Sequence, residues 1–128
     1  MAVVLFSAFT IVAIFAAPAQ AASWNGSLSG AAPGFESRRW TAPTSSTGTT
    51  IKFTGCTGSQ SVVNVTLYKV VNNGPDTGYV KAAFTQCFAG SSSTSTGNWG
   101  DHGAGEYYFV VNDGGGDRVS VRSLTVSY

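Results

Sequence analysis

Apolar and polar positions alternate along much of this chain, and that period of two predicts strands. Beyond residue 21 no stretch repeats apolar side chains at three- and four-residue spacing, so no helix is expected. Val62 to Val71 carries the strongest pattern, with Val63, Val65 and Leu67 on one face and Asn64, Thr66 and Tyr68 on the other. Glu106 to Val111 is a second core strand, in which Tyr107, Phe109 and Val111 alternate with Tyr108 and Val110. Ile51 and Phe53 share one face of a strand that ends at Gly55-Cys56. Gly78 to Phe88 reads as a return strand with Val80, Ala82 and Phe84 on its inner face. Trp24, Gly26 and Leu28 mark a short first strand, and Phe35 to Trp40 a second extended segment. In the last strand, Val119 to Tyr128, Val119 and Val121 have one parity and Leu124, Val126 and Tyr128 the other. That slip predicts a β-bulge near Arg122-Ser123.

Turn chemistry separates these runs. Ala31 to Gly34, Asn73 to Asp76 and the glycine-rich Asn112 to Asp117 read as turns. Residues 41–50, TAPTSSTGTT, read as a loop or linker, and 89–105 as a long Gly/Ser/Thr loop interrupted by Asn98 to His102. About seven short strands with turns at close intervals predict an all-β fold, a small antiparallel two-sheet sandwich; a small barrel is the alternative. The expected organisation is a leader over 1–21, an N-terminal arm and linker or edge strands over 22–50, and the sandwich core over 51–128.

Composition changes the picture at the start of the chain. Met1 to Ala16 is almost wholly apolar, Pro18 ends the run, and Ala19-Gln20-Ala21 has the small-x-small pattern of a signal peptidase site. The run is short for a membrane span and no basic flank follows it, so a signal peptide cleaved after Ala21 is expected, and a secreted product with it. No Lys or Arg precedes the run, which departs from the usual signal pattern; the first charged side chain is Glu36. Seven basic and six acidic residues leave a net charge of +1, and only Arg38-Arg39 are adjacent cations, so nucleic acid is not an expected partner. After cleavage no membrane contact is expected either. In an oxidising compartment the two cysteines, Cys56 and Cys87, form a disulfide. A closed loop of about 30 residues makes that bond worth roughly 3–4 kcal/mol.

Catalytic sets are scarce. His102 is the one histidine, and Asp101 beside it points elsewhere on an extended chain. Among the carboxylates, Glu106 with Asp101 is the one pair to consider for glycosidic chemistry. Asp113-Gly-Gly-Gly-Asp117 resembles a calcium loop but offers two carboxylates, and reads more simply as a hairpin loop. Zinc lacks ligands, so no metal and no cofactor is expected. Tryptophan is more informative. Trp24, Trp40 and Trp99 all lie outside the strongest strands, beside Gly, Ser, Asn or Arg. Such residues serve as binding anchors and sugar platforms, or close the ends of a sandwich. Arg38, Arg39 and Trp40 together combine guanidinium and aromatic groups, as interfaces do. Asn25-Gly26-Ser27 and Asn64-Val65-Thr66 match the glycosylation sequon, the second inside an expected strand.

This layout of leader, Trp-x-Gly at the expected mature start, Gly/Ser/Thr-rich sandwich, one disulfide and aromatic last strand resembles small secreted β-sandwich proteins of Gram-positive soil bacteria. Among these it resembles the adaptor subunits of umbrella-type toxin particles, which join a lectin-bearing subunit to a large stalk-bearing toxin. The resemblance is one of architecture and carries no residue roles. The lack of a catalytic set and the N-terminal segment bearing Trp24, Arg38, Arg39 and Trp40 point to a non-catalytic extracellular module that binds another protein, and the resemblance implies that it is an adaptor. A carbohydrate-binding module using exposed tryptophans, and a secreted hydrolase inhibitor presenting a loop near the disulfide, are the other expectations.

Overall fold

Residues whose side chains alternate between apolar and polar can bury one face of a strand, and two such faces make a core. The computed structural model describes residues 22–128, and in it ten short strands form two antiparallel sheets. The expected leader and its cleavage site lie outside the described residues.

The strands are β1 (Ser23–Ala31), β2 (Phe35–Glu36), β3 (Trp40–Ala42), β4 (Thr49–Gly58), β5 (Val63–Lys69), β6 (Thr77–Gly78), β7 (Ala82–Phe84), β8 (Thr94–Gly100), β9 (Gly105–Val111) and β10 (Val119–Ser127). One sheet has the order β1-β10-β4-β8. The other is built on the central pair β9-β5; β2 and β3 both pair with β9, and β6 and β7 both pair with β5. Ile51, Phe53, Leu124 and Val126 of the first sheet pack with Val65, Leu67, Phe109 and Val111 of the second. Phe53 meets Phe109 and Phe84 edge-on, with ring centroids 5.7 and 5.1 Å apart. Cys56 and Cys87 are bonded, with Cα atoms 5.0 Å apart, and tie β4 to the 3₁₀ turn Gln86–Phe88 that follows β7.

The two-sheet sandwich and its disulfide are as the pattern predicts. The strand layout differs at three places. Residues 89–105 are not one loop, because Thr94–Gly100 forms β8 at the margin of the first sheet. Its buried positions are Ser95 and Gly97, too polar and too small for the alternation to show, with the half-buried Trp99 alone at the end. A Cβ on Gly97 would lie 2.7 Å from the Trp99 ring and 2.9 Å from Phe84, so this strand has glycine where the ring needs the space. The linker 41–50 shrinks to 43–48, since β3 ends at Ala42 and β4 begins at Thr49. The return strand over 78–88 breaks into β6, β7 and the 3₁₀ turn. Across the break Val80 loses its inward parity and stands 85% exposed, while Phe84 stays in the core. Of the two readings of the N-terminal segment, the pairings are those of edge strands. β1 pairs along β10 from Ser23 to Ala31, and β2 and β3 pair with β9.

The parity slip in β10 is present. Val119, Val121, Leu124 and Val126 are all buried, with Arg122 and Ser123 exposed between them. Against β1 the slip appears as a register shift between Gly26 and Leu28. Against β4 there is no shift, because β4 slips at the same level: Ile51 and Phe53 face the core, and so does Cys56 after Gly55. Gly55 takes a φ of +68° there, and any Cβ would lie 2.7 Å from the Ser91 carbonyl oxygen.

Candidate functional site

The break between β6 and β7 and the course of β8 build a ledge on one lateral side of the sandwich. The Tyr79 N–H donates to the Leu67 carbonyl at 2.9 Å and keeps the chain close to β5; Val80 then turns outward. Trp99 Nε1–H donates to the Val80 carbonyl at 2.7 Å, fixing the exposed residue from the opposite sheet. The His102 ring stacks on Tyr79 with centroids 3.7 Å apart. His102 Nε2 lies 2.8 Å from the Trp99 carbonyl oxygen, which can only accept, so Nε2 carries the proton. Lys69 Nζ donates to the His102 carbonyl at 2.7 Å. Tyr79, Val80, Lys81, Asn98, Trp99 and His102 border a concavity of about 360 Å³.

The five binding candidates from the sequence do not form one site. Trp24 and Trp40 lie with ring centroids 5.9 Å apart, and the Arg38 guanidinium sits 5.0 Å from the Trp24 ring centroid. Trp40 is only 3% exposed and stacks between Tyr107 and Tyr128, so as a candidate contact residue it is corrected to a core residue. Trp24 is half-buried and stacks on Phe109, closing the β1 side of the sandwich. A smaller cleft of about 220 Å³ runs beside it, past Phe35, Ser37 and Arg38. Arg39 goes the other way, since neighbours on extended chain point to opposite faces. Its guanidinium lies 5.1 Å from the Tyr108 ring centroid on the outer face of the second sheet, and 3.9 Å from Glu106. Trp99 stands on β8, at the opposite margin of the first sheet from Trp24 on β1. The sequence singled out Trp99 of the ledge; the exposure of Val80 carried no signal, because its parity matched Ala82 and Phe84.

The residues considered for catalysis and metal binding are engaged elsewhere. Asp101 accepts the Gly103 N–H at 2.8 Å, and Glu106 faces Arg39. Asp113 accepts the Tyr68 hydroxyl, while Asp117 accepts both the N–H (3.0 Å) and the hydroxyl of Ser59. Asp117 is held below the usual carboxylate range, mainly by the Ser59 hydroxyl. The two ends of the supposed calcium loop thus clamp different elements. Among the described residues no three His, Cys, Asp or Glu side chains gather as a metal site would require. A second tyrosine-carboxylate pair, unread in the sequence, joins the Tyr108 hydroxyl to Asp76 at 2.7 Å. Tyr68 and Tyr108 stack in parallel, centroids 5.4 Å apart, so both pairs anchor loops across the outer face of the second sheet.

A third concavity, about 340 Å³, lies over the disulfide between Leu28, Phe88 and Arg122. No protein-family model, no curated protein and no solved structure matches this chain.

Proposed function

We propose that this chain is a secreted, non-catalytic interaction module, an adaptor within an extracellular assembly, and that the Tyr79–Trp99 ledge is its contact surface for a protein partner. The observation that carries the reading is Val80. A valine 85% exposed, pinned through its carbonyl by the Trp99 indole, offers an anchored apolar group beside aromatic rings. Covering a side chain of that size contributes roughly 1.5–3 kcal/mol, the scale of an interface anchor. The engagement of His102, Asp101, Asp113 and Asp117 in internal bonds fits a module that works by contact.

Carbohydrate binding is the second reading, favoured by the neighbourhood of Trp99, Asn98 and His102 around one concavity. With Trp40 in the core it rests on that one indole.

Capture from culture supernatant on immobilised protein tests the proposal. The wild-type chain is expected to retain a partner that Val80→Asp loses, with an unchanged melting temperature because the site is on the surface. Binding to a glycan array that survives Val80→Asp, with no retained protein, would overturn the adaptor reading in favour of the second.

A further inference from the structure

A sheet margin exposes a row of main-chain donors and acceptors, and monomeric proteins blunt such margins by breaks, bulges, charge or proline. Three of the four margins here are blunted. Those of the second sheet are cut into pieces of two or three residues, β2 with β3 and β6 with β7. The β1 margin has two register shifts, and Arg118 Nη1 donates to the Gly30 carbonyl on it. β8 is blunted only at its end, by one register shift at Trp99 between Asn98 and Gly100. Its register against β4 is unbroken from Thr94 to Asn98, and TSTGNWG contains no charge and no proline.

The register also says which groups are free. The Gly55 N–H donates to the Ser93 carbonyl, so by alternation Ser95 and Gly97 turn their main-chain groups toward β4, and Thr94, Thr96 and Asn98 turn theirs outward. Among the described residues these outward N–H and C=O groups have no protein partner.

We propose that this chain forms a two-fold dimer by antiparallel pairing of β8 with β8 of a second copy. Placing Thr96 opposite its own counterpart sets Thr94 opposite Asn98 on both sides, and every outward N–H and C=O of the three residues then finds a partner. The exposed side chains that meet are threonine and asparagine, so no like charges face each other, and a net charge of +1 opposes association only weakly. A short edge contact of this kind belongs to the small, weak interface class, with a dissociation constant on the order of 10–100 µM. The inference rests on the β8 margin; that margin shares Asn98 with the border of the ledge, but the argument does not use the partner-binding reading.

Sedimentation equilibrium of the purified, disulfide-bonded protein over a range of concentrations tests it. The wild-type chain is expected to dimerise. Thr96→Lys puts two ammonium groups on the two-fold axis, and Thr96→Pro removes an outward N–H without touching the β4 ladder. Each is expected to raise the dissociation constant by roughly tenfold or more, and Asn25→Lys on the β1 margin to leave it unchanged. Thr96 is exposed but pairs with Lys52 on β4, so the lysine variant is expected to melt slightly lower. Thr96→Glu meets Lys52 with the opposite charge, keeps the wild-type melting temperature, and still sets two like charges on the two-fold axis, with the same expected loss of dimer. A wild-type chain that stays monomeric at about 500 µM, well above the expected dissociation constant, would overturn the proposal. So would a dimer unaffected by Thr96→Lys but lost in Asn25→Lys or Val80→Asp.

Discussion

Tyr108 and Asp76 show how single side chains fix a loop and give stability a pH dependence. The Tyr108 hydroxyl is pushed above its ordinary range, first by burial and then by its bond to Asp76. Asp76 is held below the usual carboxylate range, first by that hydroxyl and then by the Val71 N–H. A depressed carboxylate contributes stability above its unfolded value of about 3.9 and loses it as pH falls through the folded value; a raised tyrosine contributes below about 10 and loses it as pH rises. Tyr108→Phe is therefore expected to flatten both limbs of the stability profile, the acid limb through a less depressed Asp76. Denaturation midpoints of the two proteins from about pH 2 to 11 check this, and superimposable profiles would mean the pair adds nothing. An alkaline limb will persist in the variant, because Tyr68, Tyr79 and Tyr107 are also raised. Residue by residue, the sequence revealed the aromatic candidates but not their company. Arg38 and Arg39 are neighbours in the chain and attend different rings on different faces, which adjacency alone hides.

At the scale of elements, legibility followed the size of the inward side chains. β5 could be read because Val63, Val65 and Leu67 make the alternation plain, and β9 because Tyr107 to Val111 is an unbroken apolar and aromatic run, buried on both faces. β8 could not, since its inward face is Ser95, Gly97 and a tryptophan lying over the glycine. Val80 misled for a different reason: parity holds only while a strand is continuous, and the chain leaves β5 between Gly78 and Ala82. The N-terminal segment was the case where two readings competed, and its pairings decide what truncation does. Deleting residues 22–42 removes the whole of β1, both strands that cover β9, and buried Trp40. The remainder is expected to lose cooperative thermal unfolding and to aggregate. Near-ultraviolet circular dichroism through a melt checks it; a cooperative transition in the truncated chain would make those strands dispensable.

For the whole molecule, the two sheets are joined by a shared core and by one covalent bond. Cys56 sits on β4 of the first sheet, and Cys87 in the turn that continues β7 of the second. The bond therefore limits how far the sheets separate in the unfolded chain. Reducing it under non-denaturing conditions is expected to cost about 3 kcal/mol and to lower the melting temperature by roughly 10–25 °C. A scan with and without reductant measures the difference, and a shift of only a degree or two would show that the core alone sets stability. The sandwich class, the disulfide and the absence of α-helix among the described residues were readable at this scale because they depend on period and composition. The division of margins was not, because whether a strand is blunted depends on breaks and bulges that only pairing reveals.

The slip shared by β4 and β10 ties the histories of the two strands together. Each carries one residue more than a flat ladder would need, at Gly55 and at Arg122-Ser123, and the surplus cancels between them. Losing that residue from one strand alone would turn Cys56 or the Val119–Val121 pair out to solvent. Losing it from both would leave the ladder intact. Length variants among descendants of this chain should thus arrive as matched deletions some seventy positions apart in sequence, a double event that a single coding change cannot supply.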